Sequence, residues 1–181
     1  MLENDIIRLR PVSIRDSDFI LSLRNDMDLA KEFFSDPPLY DFQHDRWLRN
    51  TGNMLYFIIE DRLGEKYGTI QVSGIDYKNQ KCEFGIAIQR SFQRRGLAKQ
   101  ASALLIDYIF GSLPLRKITL EVFADNTGAL TLYKNLGFEI EGTFRDEYFK
   151  CGHWRDSVRM ALFREQWQAQ RQDPENDPLS H

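Results

Sequence analysis

One stretch constrains this chain more than any other. A strand-like segment, Lys81–Gln89, runs through a basic turn, residues 90–99 (RSFQRRGLAK), into the strongest helical pattern of the sequence. In the helix of residues 97–109, Leu97, Ala101, Leu104, Leu105, Tyr108 and Ile109 recur at helical spacing and form an apolar stripe. In the strand, Cys82, Phe84, Ile86 and Ile88 alternate with Glu83, Gly85, Ala87 and Gln89. A strand and an amphipathic helix joined this closely bury their apolar sides together, so the chain has to build a helix-on-sheet layer.

The remaining segments supply the other layers. Ile6–Val12 reads as a first strand, and residues 15–24 as a helix with Phe19, Ile20 and Leu23 on one side. Pro37-Pro38 forces a break, and Asp41–Asn50 reads as a second short helix. Leu55–Glu60 and Tyr67–Ser73 read as strands joined around Gly64. Lys117–Phe123 is a β-rich strand, and Asn126–Leu136 is a helix that Gly137 caps. Two late strands follow, around Phe138–Phe149 and Trp154–Phe163. The order β-α-α-β-β-β-α-β-α-β-β is neither a clean alternation nor all-β. It predicts an α/β (α+β) fold, a mixed central sheet of about 6–7 strands with helices on both faces. At 181 residues the chain suits one domain, residues 1–167. Residues 168–181 are polar, carry Pro174 and Pro178, and are predicted to be a flexible tail.

Charge and motif content narrow the function. The net charge is −3, without the general basic excess of a nucleic-acid binder. It is uneven: residues 1–60 hold 7 basic and 11 acidic side chains, a balance that suits either a solvated surface or a cationic substrate. Cys82 and Cys151 give no disulfide framework, which fits a reducing cytosol. The N-terminus lacks a signal-peptide layout, and no apolar run reaches the ~20 residues that span a bilayer. The expectation is a cytoplasmic protein, monomer or homodimer, that binds neither nucleic acid nor membrane. Dinucleotide, P-loop, zincin and nucleophile-elbow motifs are absent, and three histidines do not suggest a metal site.

Three elements carry chemistry. Residues 90–99 hold four cations and no acid, and they open a helix. A helix N-terminus offers free N–H groups and a partial positive charge, and Gly96 lets the backbone approach an anion. Such a turn is either a surface loop or a cradle for a pyrophosphate. Asn126, Ala129 and Tyr133 share one helix face, where a small residue leaves room for something to lie along the helix. Asn126 also suits an N-cap, and Tyr133 a half-buried core aromatic. Glu83 is a carboxylate in a largely apolar strand, costly there unless paired, exposed or functional.

Together these elements resemble one family. Q-R-R-G-L-A (93–98) is similar to the acetyl-CoA motif R/Q-x-x-G-x-G/A of GNAT acetyltransferases. EVFADNTGALTLYKNLGFEIEG (121–142) resembles that family's downstream signature, and the opening strand and helix match too. The resemblance covers roughly residues 5–165 and points to the RimJ/RimL-like branch, with Ala98 where many relatives have Gly.

That resemblance implies a ternary complex in which an amine attacks the thioester of acetyl-CoA directly. The co-substrate would lie against Ile86, Ala87 and Ile88 (pantetheine), Gln93, Arg94, Arg95, Gly96, Leu97 and Ala98 (pyrophosphate), and Asn126, Ala129 and Tyr133. No metal is implied. A typical alkyl ammonium has a pKa near ~10 and must lose a proton, for which Glu83 is the first candidate and Glu121 a weaker one. Tyr133 is the family-matched donor to the leaving thiolate. The acceptor is expected to be a small amine, such as an amino-sugar nucleotide or polyamine, or a protein N-terminus. Its pocket would draw on residues 15–53 and 145–153, where Arg24, Asp26, His44, Trp47, Arg145, His153 and Trp154 are the polar or aromatic candidates. The competing reading is a non-catalytic acyl-CoA-binding sensor of the same fold.

Overall fold

The structure is a computed structural model that describes residues 2–49 and 52–173. Its strands are β1 (Leu2–Glu3), β2 (Arg8–Pro11), β3 (Leu55–Glu60), β4 (Lys66–Asp76), β5 (Lys81–Ile88), β6 (Lys117–Phe123), β7 (Glu139–Lys150) and β8 (His153–Phe163). Its helices are α1 (Ser17–Asn25), α2 (Met27–Ala30), α3 (Asp41–Leu48), α4 (Leu97–Ser112), α5 (Thr127–Asn135) and α6 (Arg164–Gln172). The strands form one eight-stranded sheet in the order β1-β2-β3-β4-β5-β6-β8-β7. Every pair is antiparallel except β5 with β6. The expected mixed sheet is therefore present, one strand larger because the two-residue β1 carries no readable pattern.

Strand periodicity decides what each face buries. Ile70, Val72, Phe84 and Ile88 join Leu97, Ala101, Leu105 and Ile109 of α4 in one core, which also takes in Tyr133, Phe138 and Met160. Burying such side chains contributes roughly 1.5–3 kcal/mol each. The opposite face meets the N-terminal helices: Trp47 of α3 sits edge-on to Tyr56 of β3, 5.1 Å between ring centroids.

Residues 168–172, expected in a flexible tail, belong to α6. Trp167 explains the difference: it is 1% exposed, and its indole N–H donates to Asp107 of α4 at 2.8 Å. Asp173 caps α6, and the remaining residues of the predicted tail, 174–181, lie outside the described residues. Among the described residues no helix is long and apolar enough to cross a membrane.

Near β2 the fold holds a buried charge cluster. Asp16 is 2% exposed, receives Arg10 through two guanidinium nitrogens and pairs with Lys66 at 2.8 Å. Burial alone would push its pKa up; hydrogen bonds from Arg10, Lys66 and Ser13 overcome this and hold it well below the usual carboxylate range. The ionised form is thus favoured in the folded state, so its contribution is present above pH ~4 and is lost as pH falls below that. Asp16→Asn is expected to destabilise the fold by about 3–5 kcal/mol at pH 7. In urea unfolding, the gap to wild type should narrow on acidification; a pH-independent gap would refute this assignment.

Candidate active site

The site begins where β5 and β6 part. Their parallel pairing lasts three residue pairs and ends at Glu83↔Thr119, yet β5 continues to Ile88 and β6 to Phe123. Beyond that point β5 is paired only with β4, and β6 only with β8. Residues 84–88 therefore turn one edge of backbone donors and acceptors into an opening, where a ligand can pair with them. A cavity of about 840 Å³ occupies this opening.

The turn after β5 closes one end. Gln93 donates its side-chain amide to the Ile88 carbonyl at 3.1 Å, folding the turn back onto the strand. Arg94 (φ +61°) and Gly96 (φ +75°) both adopt left-handed backbone. Non-glycine residues rarely do so, and such strain clusters at ligand sites. Gly96 is the N-cap of α4, so the free N–H groups of the first helical turn lie beside it. Arg94, Gly96, Leu97, Ala98 and Lys99 all line the cavity. Arg95 does not; its guanidinium lies over the Phe92 ring, 5.1 Å from the centroid.

One wall is α5. The Asn126 side chain accepts the Ala129 N–H at 3.1 Å and caps the helix, while Asn126, Ala129 and Tyr133 all line the cavity. Tyr133 packs edge-to-face against Phe84 and Phe138, and burial pushes its phenol up to about 12. It is therefore protonated at neutral pH.

Glu83 and Glu121 reach the same cavity from adjacent strands. Glu83 is exposed, so the burial cost expected from its apolar strand does not arise. Glu121 is held: it accepts hydrogen bonds from the Ser157 hydroxyl and from the Tyr148 phenol. Burial first, then Glu121, Glu147 and Glu83, push Tyr148 up to about 12, which keeps it a donor.

The far end is assembled from remote segments. Phe34 stacks on Tyr148 at 4.4 Å and leans on Phe123. Lys150, 4% exposed, donates to the Ser35 carbonyl at 2.9 Å and to Asp36. Arg155 lies 3.8 Å over the Phe123 ring, pairs with Asp125 and donates to the Lys31 carbonyl at 2.6 Å. Residues 31–36 are thereby fixed against the ends of β6, β7 and β8. Of the acceptor-side candidates, Arg24 alone lines the cavity. Asp26 caps α2, His44 is buried in α3, and Trp47 packs on Tyr56. Trp154 is exposed and paired with Phe149 on the β7–β8 hairpin, where Arg145 and His153 are also exposed. Sequence reasoning missed Glu32, Phe34, Tyr148 and Ser157. Among the described residues, no group of three or more His, Cys, Asp or Glu side chains gathers as a metal site would.

A split between two parallel strands, a helix N-terminus at its mouth and a buried tyrosine on its wall make a site that offers free backbone, an anion cradle and a hydroxyl donor to one extended ligand. Residues 7–139 match the family described as acetyltransferase (GNAT) domain. The spermidine N(1)-acetyltransferase of Escherichia coli (strain K12) is 32% identical over 177 residues, covering 93% of this chain and 91% of that protein. The crystal structure of spermidine N-acetyltransferase from Vibrio cholerae in complex with CoA and spermine superposes with a TM-score of 0.87 at 27% identity. That match covers 91% of this chain and 99% of the other. A shorter match, 33% over 93 residues, 51% of this chain and 57% of the relative, is to the L-amino acid N-acetyltransferase AaaT of Escherichia coli (strain K12). The chain belongs to the GNAT acetyltransferase family.

Proposed function

We propose that residues 1–167 form one catalytic domain that transfers the acetyl group of acetyl-CoA to a small primary amine by direct attack in a ternary complex. The carrying observation is that the free edge of 84–88, the cradle at 94–98, Tyr133 and two carboxylates all border one cavity. The pyrophosphate sits on the N–H groups of 94–98, with Arg94 and Lys99 beside it. The pantetheine arm pairs with the free backbone of 86–88, which also offers an N–H to the thioester oxygen as charge develops. Tyr133 donates to the leaving sulfur.

Glu121 and Glu83 divide the acceptor's needs. Glu121, fixed by Ser157 and Tyr148, orients the ammonium. Glu83, exposed to the cavity, takes the proton through water. Spermidine transferases as whole-length relatives support a small amine acceptor over a protein N-terminus.

The test is thiol release from acetyl-CoA against spermidine, amino-sugar nucleotides, aminoglycosides, amino acids and N-terminal peptides. Turnover with a small amine is expected. Binding of acetyl-CoA with no turnover on any amine would favour the sensor reading instead. With the accepted amine, Glu121→Gln should raise KM by about 10-fold or more, and Glu83→Gln should lower kcat by about 10²-fold. Identical effects of both on KM alone would sink the division of roles.

A further inference from the structure

Two charged groups of the cavity have no part in the proposed reaction, Glu32 and Arg24, and Glu32 is paired with Arg155. Arg24, in the last turn of α1, lines the same cavity as Glu83 and Glu121. Its guanidinium lies over the Phe33 ring, 4.6 Å from the centroid, and donates to the Ser35 hydroxyl. Among the described residues it meets no carboxylate at ion-pair distance. The other cations at this end are all answered: Arg155 by Asp125 and Glu32, Lys150 by Asp36, Arg90 by Asp28. Two more lining cations, Arg94 and Lys99, belong to the pyrophosphate cradle after Ile88.

Arg24 is elsewhere. It is close enough to Tyr56 to feel its hydroxyl, and Tyr56 lies across from Gln71, itself across from Gly85 in mid-β5. Burial pulls its pKa down, yet a guanidinium keeps its charge in a protein. Arg24 is half-buried, and a partly desolvated guanidinium without a counter-ion offers a planar fork that matches phosphate or carboxylate. The neutral polar side chains that line the cavity with it, Tyr56, Thr69 and Gln71, do not compensate a full charge.

We infer that the acceptor carries, besides its amine, an anionic group that Arg24 receives. The carboxylates take the ammonium, Arg24 takes the anion, and a polycation is disfavoured because it would lay positive charge against Arg24. This deepens the acetyltransferase reading and rests on it.

The test uses matched pairs: glucosamine 6-phosphate against glucosamine, and an L-amino acid against its amide, with spermidine as the polycation. Thiol-release kinetics and calorimetric binding to the CoA-loaded protein are measured for wild type, Arg24→Gln, Arg24→Lys and Arg24→Glu. The phosphate and carboxylate arms decide which anion is meant. In one arm, wild type should prefer the anionic member by about 100-fold in kcat/KM. Arg24→Gln should abolish the preference through KM with kcat little changed. Arg24→Lys, charged but without the fork, should keep part of it. Arg24→Glu should improve spermidine.

Two results overturn the inference while leaving acetyl transfer intact. One is spermidine as the best wild-type acceptor, with Arg24→Glu giving no gain. The other is an anion preference that survives Arg24→Gln. Arg24-dependent binding of an anionic amine with no turnover would support the inference and sink the catalytic reading. Absence of any Arg24-dependent binding in both arms would overturn the inference. Unchanged acetyl-CoA affinity in each variant verifies that the fold is intact.

Discussion

Tyr133→Phe is expected to lower the turnover number by about 10²–10³-fold while leaving acetyl-CoA affinity nearly unchanged. The ring remains, so its packing on Phe84 and Phe138 survives and only the hydroxyl is lost. Its pKa sharpens what that hydroxyl does. Burial holds it at about 12, while a free thiol titrates near ~8.5. Completing a proton transfer from such a phenol to the thiolate is uphill by roughly 5 kcal/mol at ~1.36 kcal/mol per pKa unit. The hydroxyl therefore acts as a donor to sulfur as charge develops, a contact made in the transition state and weak in the ground state. The loss should appear equally in kcat and kcat/KM. A raised wild-type pKa also means that kcat should show no alkaline limb from this group until pH nears 12. Steady-state kinetics beside calorimetry decide it: equal losses in turnover and acetyl-CoA affinity would remove Tyr133 from the chemistry.

What could be read in advance follows a physical divide. Leu55–Glu60 and Lys117–Phe123 were legible to the residue because each is a compact run of β-formers bounded by polar turns. The α4 stripe and the cradle before it were legible because both are local in sequence. α6 was not: apart from Trp167 it is nearly all polar, and one side chain makes no periodicity. Its burial depends on Asp107, sixty residues away. The acceptor end was illegible for the same reason at larger scale. Lys150 meets Ser35 and Arg155 meets Lys31 across more than a hundred residues. Glu121 becomes a fixed carboxylate only when β8 delivers Ser157 and β7 delivers Tyr148. Glu83 looked costly in a strand pattern because the sequence does not reveal that β5 and β6 part beside it.

Gly96→Glu should abolish acetyl-CoA binding with little loss of fold, and the geometry says why the two separate. A Cβ added at Gly96 meets no heavy atom within 4 Å, so the new side chain extends into open space and not into the core. The protein's own cost is the left-handed backbone at φ +75°, about 1–2 kcal/mol for a residue with a Cβ. Part of it is recovered, since a carboxylate beside a helix N-terminus satisfies free N–H groups and the helix dipole, typically by ~0.3–1 kcal/mol. That recovery is the damage: the carboxylate takes the donors meant for the pyrophosphate and repels it. A loss of about 3 kcal/mol in binding is about 100-fold in affinity, and two like charges close together in a partly desolvated turn exceed it readily. Gly96→Ala separates the causes, because it carries the backbone strain without the charge. Calorimetry should find the alanine variant within about 10-fold of wild type and the glutamate variant beyond measurement, with similar melting temperatures for both. Wild-type affinity in the glutamate variant would mean that the pyrophosphate lies somewhere other than residues 94–98.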